Sequence, residues 1–227
     1  MARHLIFDFF GTLVTYRDGV QANPIERARA ELSGYGVDIT HEALADRFSE
    51  CFVALEREAV KTLREYSMAQ VTRMLFDDLA IPASPGRIAR FVDLYLHDWT
   101  DGVAPLPRLR DWLEALPISK SVLSNTHHEP MVAGLIERLG IGALFAGLTT
   151  SIGHGYRKPH PSIYEAHMNS LGVVARDAIF VGDSPQCDYF GPRAAGIEAY
   201  LVAARPVAGV PEHHRLRHLF ELGERLR

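Results

Sequence analysis

Cysteine is nearly missing from this chain. Its 227 residues include only two, Cys51 and Cys187, far apart and without metal-ligand spacing. Neither a disulfide framework nor a structural zinc site is expected, and a reducing compartment is. Basic surplus is missing too: 24 Lys and Arg against 28 Asp and Glu leave a formal charge of −4, and the basic residues are scattered. Nucleic acid is therefore not an expected partner. No stretch approaches the roughly 20 apolar residues that span a bilayer, and the apolar run in "MARHLIF" is too short for a secretory leader. A cytoplasmic location without membrane contact is the expectation. Internal repeats and low-complexity segments are absent. The first apolar run is not followed by Gly-x-Gly-x-x-Gly, which argues against dinucleotide binding.

What is present is an ordinary globular composition, 47% hydrophobic and 23% charged, long enough for one core plus a sizeable insertion. Short apolar runs recur: "HLIFDFF" at 4–10, "SKSVLSN" at 119–125, "LFAGLTTS" at 144–151, "AIFVGDS" at 178–184 and "EAYLV" at 198–202. Helix-period stretches such as "PMVAGLIERLG" and "SIYEAHMNSLG" lie between the later runs, each closed by a Gly suited to a helix C-terminus. This alternation predicts an α/β fold with a doubly wound parallel sheet. Ligands on such sheets bind beyond the carboxyl ends of the strands. The residues to inspect are therefore Asp8, Ser124, Ser151 and Asp183.

Residues 16–100 differ. "IERARAELSGYG", "HEALADRFSECFVALEREAVKTL", "SMAQVTRMLFDDLA" and "PGRIARFVDLYLHDW" carry helical periodicity throughout, and no strand is expected there. The organisation predicted is a core of residues 1–15 and 101–227 with an inserted helical cap of residues 16–100. Hinges are expected near Tyr16-Arg17 and near Thr100-Asp101-Gly102.

Four stretches carry chemistry: "FDFFGTL", "SVLSN", "RKPHPSIY" and "VGDSPQCD". In order and spacing they resemble the haloacid dehalogenase-like hydrolase superfamily, in the branch with a helical cap inserted after the first motif. The resemblance runs from residue 4 to about residue 201. It implies Asp8 as nucleophile, Thr12 orienting it, and Lys158 and Asp188 as further catalytic residues. Around the substrate it implies the main chain of Phe9 and Phe10 with Ser124, Asn125 and Lys158; Tyr164 belongs to the third motif.

The residues support the same chemistry on their own. A carboxylate at a strand end is a well-held nucleophile for a covalent mechanism. Ser124, Lys158 and the N–H groups of the turn after Asp8 can neutralise a phosphate. Asp8 and Asp183 would repel each other without a cation between them, and hard oxygen ligands suit Mg²⁺, completed by the Phe10 carbonyl and water. Asp188 either touches the substrate or serves the structure, by capping the following helix or pairing with Lys158. His127 and His128 are either a helix-entry pair or a stand-in acid. His154 and His160 read as surface residues, and Cys187 as inert.

One position is out of pattern. In phosphatases of the family a second acid, two residues after the nucleophile, protonates the leaving group; here Phe10 stands there. Three functions stay open. A Mg²⁺-dependent phosphohydrolase acting on a small phosphorylated metabolite fits "GDSPQCD". A 2-haloacid dehalogenase, acting on a small organic acid, fits Phe10, because halide leaves without a proton; Arg17, Arg57 and Arg64 are its candidate carboxylate-binding residues. A non-catalytic binding or regulatory module is the third. Phe48, Phe52, Arg57, Arg64 and Tyr66 are candidates for a substrate-facing cap surface. A small-molecule substrate, phosphorylated metabolite or small organic acid, is expected for either enzyme, and a monomer or homodimer is the expected state.

Overall fold

In the computed structural model, residues 4–16 and 25–226 are described. They divide into two units: residues up to Thr15 with those from Pro105 onward, and residues Tyr16 to Ala104. Strand β1 (His4–Phe7) is buried at every position and is followed, after a tight turn, by β2 (Val14–Tyr16). The second unit then builds four helices. They are α1 (Glu26–Ser33), α2 (His41–Thr62), α3 (Met68–Asp78) and α4 (Pro85–Asp101).

Helices α2, α3 and α4 start where polar side chains satisfy the orphan N–H groups of a first turn. Thr40 caps α2, Ser67 and Gln70 form a reciprocal capping box on α3, and Ser84 caps α4 with Pro85 in its first turn. Their apolar stripes close on an aromatic centre, in which Phe91 meets Phe48 and Phe76 edge to face at centroid distances of 5.6 Å. Burying each such ring contributes about 1.5–3 kcal/mol. Phe48 is therefore part of this core and not an open surface position. Helix α4 runs through Thr100 and Asp101 to a cap at Gly102, so the residues read as a hinge are its last turn. Arg17 lies outside the described residues.

Strand β3 (Val103–Pro105), which pairs with β2 in a two-stranded sheet, ends where the first unit resumes at Pro105, and α5 (Leu109–Ala115) follows. Next come β4 (Ser119–Ser124), α6 (Glu129–Arg138), β5 (Leu148–Thr150), α7 (Ser151–His154) and α8 (Pro161–Leu171). Strand β6 (Ala178–Gly182), helix α9 (Gly191–Ala194) and strands β7 (Glu198–Val202) and β8 (Arg215–Leu216) follow. The main sheet has the order β5-β4-β1-β6-β7-β8, all neighbours parallel, with helices flanking it. This is the doubly wound α/β arrangement expected. From β1 the chain goes first to one side, through β4 and β5, and then to the other, through β6 to β8. The reversal occurs at β1, and the crevice of a doubly wound sheet opens at such a switch point.

Candidate active site

Asp8 is the residue directly after β1, at that switch point. Its N–H donates to the Val181 carbonyl at 2.9 Å, which continues the β1–β6 ladder one step and fixes the carboxylate. The turn behind it is tight: Leu13 N–H donates to the Phe9 carbonyl at 2.9 Å and Gly11 N–H to the Val14 carbonyl at 2.9 Å. Gly11 has φ of +80°, and a Cβ there would overlap the Asp183 carboxylate. Only glycine satisfies both demands. The rings of Phe9, fully buried, and Phe10, half-buried, pack edge to face at 5.0 Å.

The loop before α8 brings Lys158 to Asp8. Its ammonium lies 2.8 Å from Asp8 Oδ1 and 2.7 Å from Asp188 Oδ1, 2% exposed. It also sits over the Phe180 ring at 5.1 Å. Thr12 Oγ1 donates to Asp8 Oδ2 at 3.3 Å, so both oxygens of the nucleophile candidate are held. Asp188 belongs to a wide turn over residues 185–190, closed by Gly191 N–H donating to the Gln186 carbonyl. Five-residue closure of this kind is a π-type turn, uncommon and often found at functional sites. One oxygen of Asp188 is engaged in the ion pair with Lys158. Its other oxygen accepts from Ser184 N–H at 2.9 Å, while Ser184 itself caps the turn by accepting from Cys187 N–H. Gly182 makes room, since a Cβ there would overlap the Asp188 carboxyl.

Burial dominates the electrostatics. It pushes the Asp8 carboxyl up to about 7 against the pull of Lys158, with Asp188 and Asp183 adding to the rise. Burial alone would lower the Lys158 ammonium, but Asp188 and Asp8 outweigh it and hold the group charged. Desolvation and then Asp188 also raise Asp183, whose residue is exposed at the edge of the cluster. One ligand oxygen from each of Asp8, Asp183 and Asp188 lies within 4.8 Å of the others.

The remaining sequence candidates fall in less expected places. Ser124 is fully buried and its hydroxyl donates to the Asn125 carbonyl at 3.3 Å. Both ends of the Asn125 amide bond to the main chain of Lys158, donating to its carbonyl at 3.1 Å and accepting from its N–H at 2.8 Å. Ser151 follows its strand but is no open site: its hydroxyl accepts from Thr126 N–H at 2.8 Å and donates to the Thr126 carbonyl at 3.2 Å. His154 and His160 are not surface residues. Both rings are half-buried and meet the Ser162 hydroxyl at 2.8 Å, and His160 also caps α8. His127 and His128 are half-buried beside β4. Burial raises the Cys187 thiol, which suppresses its nucleophilic form. In the helical unit Tyr66 donates to Glu56 at 3.0 Å, Phe52 packs on Phe48 at 5.1 Å, and Arg57 and Arg64 are exposed. Gly182 and Gly191 are the supports that sequence reasoning passed over; their only signal was a glycine within and another just after the stretch "VGDSPQCD".

The model of the haloacid dehalogenase-like hydrolase family matches residues 2–196. This chain belongs to that family. A relative is the phosphoglycolate phosphatase of Rhodospirillum rubrum, 28% identical over 225 residues, covering 92% of this chain and 85% of that one. Another is the ribulose-1,5-bisphosphate 5-phosphatase of Halopiger xanaduensis, 28% identical over 212 residues, with coverage of 88% and 84%. Among solved structures, the 2-haloacid dehalogenase from Pseudomonas syringae pv. tomato DC3000 has a TM-score of 0.77 at 21% identity, covering 100% of this chain and 98% of that one. Family membership makes the protein a hydrolase by kinship, with a helical cap inserted in the family's core. No helix among the described residues is long and apolar enough to cross a membrane.

Proposed function

We propose that this hydrolase is a Mg²⁺-dependent phosphatase of small phosphorylated metabolites, working through an aspartyl-phosphate on Asp8. The observation that carries the reading is a charge imbalance. Three carboxylates converge within 4.8 Å, and Lys158 is the cation paired with two of them. An anionic substrate meets repulsion there unless a dication is added. The donors are hard oxygens, which fit Mg²⁺ better than a softer metal. Asp8, Asp183 and the Phe10 carbonyl would hold the ion, with Asp188 as the third carboxylate of the cluster. Bound there, Mg²⁺ supplies positive charge to the phosphoryl oxygens.

The protein's own residues then divide the reaction into two displacements. An Asp8 oxygen attacks phosphorus, the bond to the ester oxygen breaks, and the leaving oxygen keeps the electron pair. Lys158 and Thr12 hold Asp8 for that attack. Water then cleaves the aspartyl-phosphate, releasing phosphate and restoring the carboxylate. Phe10 carries no proton for the leaving oxygen. The phosphatase names of the two relatives, each spanning most of its length with this chain, point the same way.

Phe10 also supports a second reading, a 2-haloacid dehalogenase, because a halide departs without a proton. The same charge imbalance opposes it, since a haloacid brings a carboxylate to an already anionic site. One screen separates the two: phosphate and chloride release from phosphate esters, an acyl phosphate and 2-chloropropionate, with Mg²⁺ and with chelator. Phosphate release that needs Mg²⁺ is expected. Chloride release that survives chelation would transfer the conclusion to the dehalogenase.

A further inference from the structure

Lys158 can hold Asp8 and Asp188 together only as firmly as its own main chain is held. That main chain has no strand partner, and what replaces one is a side chain. Asn125, directly after β4, accepts from Lys158 N–H at 2.8 Å and donates to the Lys158 carbonyl at 3.1 Å. A carboxamide that presents donor and acceptor to one residue's N–H and C=O imitates a rung of a sheet ladder. The Cys187 thiol donates to the same carbonyl at 3.3 Å. Cys187 is fixed in turn, because its own carbonyl accepts from the Tyr164 hydroxyl at 2.5 Å. Tyr164 is fully buried, and at Gly191 a Cβ would overlap its hydroxyl. The wide turn that carries Asp188 is thus tied to the loop that carries Lys158.

We propose that Asn125 is a positioning residue, acting on the reaction through Lys158 and not by touching the substrate, with Cys187 and Tyr164 completing a clamp around the Lys158 carbonyl. This replaces the substrate-binding role that the sequence suggested for Asn125. Its amide already has both ends engaged, and Lys158 is 2% exposed, so removing the amide leaves a buried N–H without its acceptor. Small errors of aim near reacting groups are amplified in rate.

The kinetic arm of the test rests on the phosphatase reading, and a second arm does not. Asn125→Ala should lower kcat by roughly 10- to 100-fold while KM for an aryl phosphate stays within about twofold of wild type. Asn125→Leu, which keeps the volume and loses both bonds, should behave like the alanine variant. A raised KM at preserved kcat would put the amide on the substrate, and wild-type kinetics in the leucine variant would reduce Asn125 to packing. Either overturns the proposal. The second arm uses Cys51→Ser protein, in which Cys187 is the single thiol. Its reaction with an aromatic disulfide reagent should become roughly tenfold faster on adding Asn125→Ala or Asn125→Leu, the opening expected from losing about one hydrogen bond. An unchanged rate overturns the clamp. If wild type hydrolyses no phosphate ester, the phosphatase reading fails alone, and the thiol arm still decides this one.

Discussion

Two clusters of buried polar side chains hang on the same strands and are built on opposite principles. Past the carboxyl ends of β1 and β6 the polarity is ionic: Asp8, Lys158 and Asp188 are all at most 6% exposed and joined by two ion pairs. Nearer the amino end of β1 it is neutral. His4 Nε2 meets Ser121 Oγ at 2.7 Å, Ser121 Oγ meets His167 Nε2 at 2.8 Å, and His167 Nδ1 meets Thr149 Oγ1 at 2.8 Å. This chain ties β1, β4 and β5 to α8. Burial lowers His167 to about 4, with His4 and Lys158 adding to it, and lowers His4, where Lys120 adds to the effect. The neutral cluster satisfies its hydrogen bonds without carrying charge. The ionic cluster carries more negative charge than its lysine balances, and a site meant to attract a dication and a reacting group has a use for that excess. Stability is the gain at one end, and reactivity is what strain at the other permits.

The largest way to break this contrast is Asp8→Asn. Turnover should fall by at least about 10³-fold, because the attacking oxygen is gone. Without metal, the same variant should be more stable than wild type at pH 8. The sign follows from linkage. A carboxyl raised from 3.8 to about 7 in the folded state binds more protons there than in the unfolded chain between those values. Stability therefore falls as pH rises through that window, and the asparagine removes the fall. A gain on the order of a few kcal/mol is expected at pH 8, read by denaturant unfolding in chelator. Equal stabilities at that pH would show that Asp8 is not strained.

Lys158→Met should act in the opposite direction at the same end. It leaves Asp8 and Asp188 facing each other without the ammonium, and breaking one side of a buried pair costs roughly 3–5 kcal/mol. Added Mg²⁺ should restore part of that loss in the variant. Unfolding that is the same with and without Mg²⁺ would argue that the acidic cluster does not take up the ion.

Phe10 tests the reactivity of the ionic end. With no proton offered from that position, aryl and acyl phosphates should turn over faster than alkyl phosphates by more than their reactivity in water explains. Phe10→Asp should narrow the gap by up to roughly 10²-fold through alkyl phosphates. Alkyl phosphate rates typical of an efficient phosphatase, unaltered when His127 and His128 are both changed to Ala, would show that position 10 does not limit the reaction.

The ionic end was far more legible in the sequence than the neutral one, and the reason is physical. Asp8, Lys158 and Asp183 sit where apolar runs stop or turns begin, so position along the chain announces them. The strands behind them were legible too, since sheets buried on both faces read as continuous apolar runs. Strands β2, β3 and β8 have two or three residues each, too few to show a pattern. Side-chain partners were not legible. The Asn125 amide could have faced a ligand or a main chain, and only the fold brings Lys158 to it. His4 and Ser121 are 117 positions apart, and Ser121 and His167 are 46 apart. Nothing local marks such residues as one chain of bonds.

The neutral end supplies the smallest expected effect. In the unfolded chain His167 titrates near 6.5, and in the folded protein near 4. Between those values the unfolded state binds more protons, so stability present above pH 6.5 is lost progressively as pH falls toward 4. A shift of that size corresponds to about 3 kcal/mol. His4, lowered in the same direction, adds to it. Carboxylates elsewhere also titrate in this range, so the measurement must be a difference. His167→Gln keeps a donor and an acceptor but has no proton to gain. Its stability at pH 7 should be below wild type by about 1 kcal/mol, one imperfect hydrogen bond. Between pH 7 and pH 4.5 it should then lose less than wild type does, and the two unfolding curves should approach or cross. If both proteins lose the same stability over that interval, His167 is not an acid-sensitive point of the fold. The contrast between the two ends would then rest on the ionic one alone.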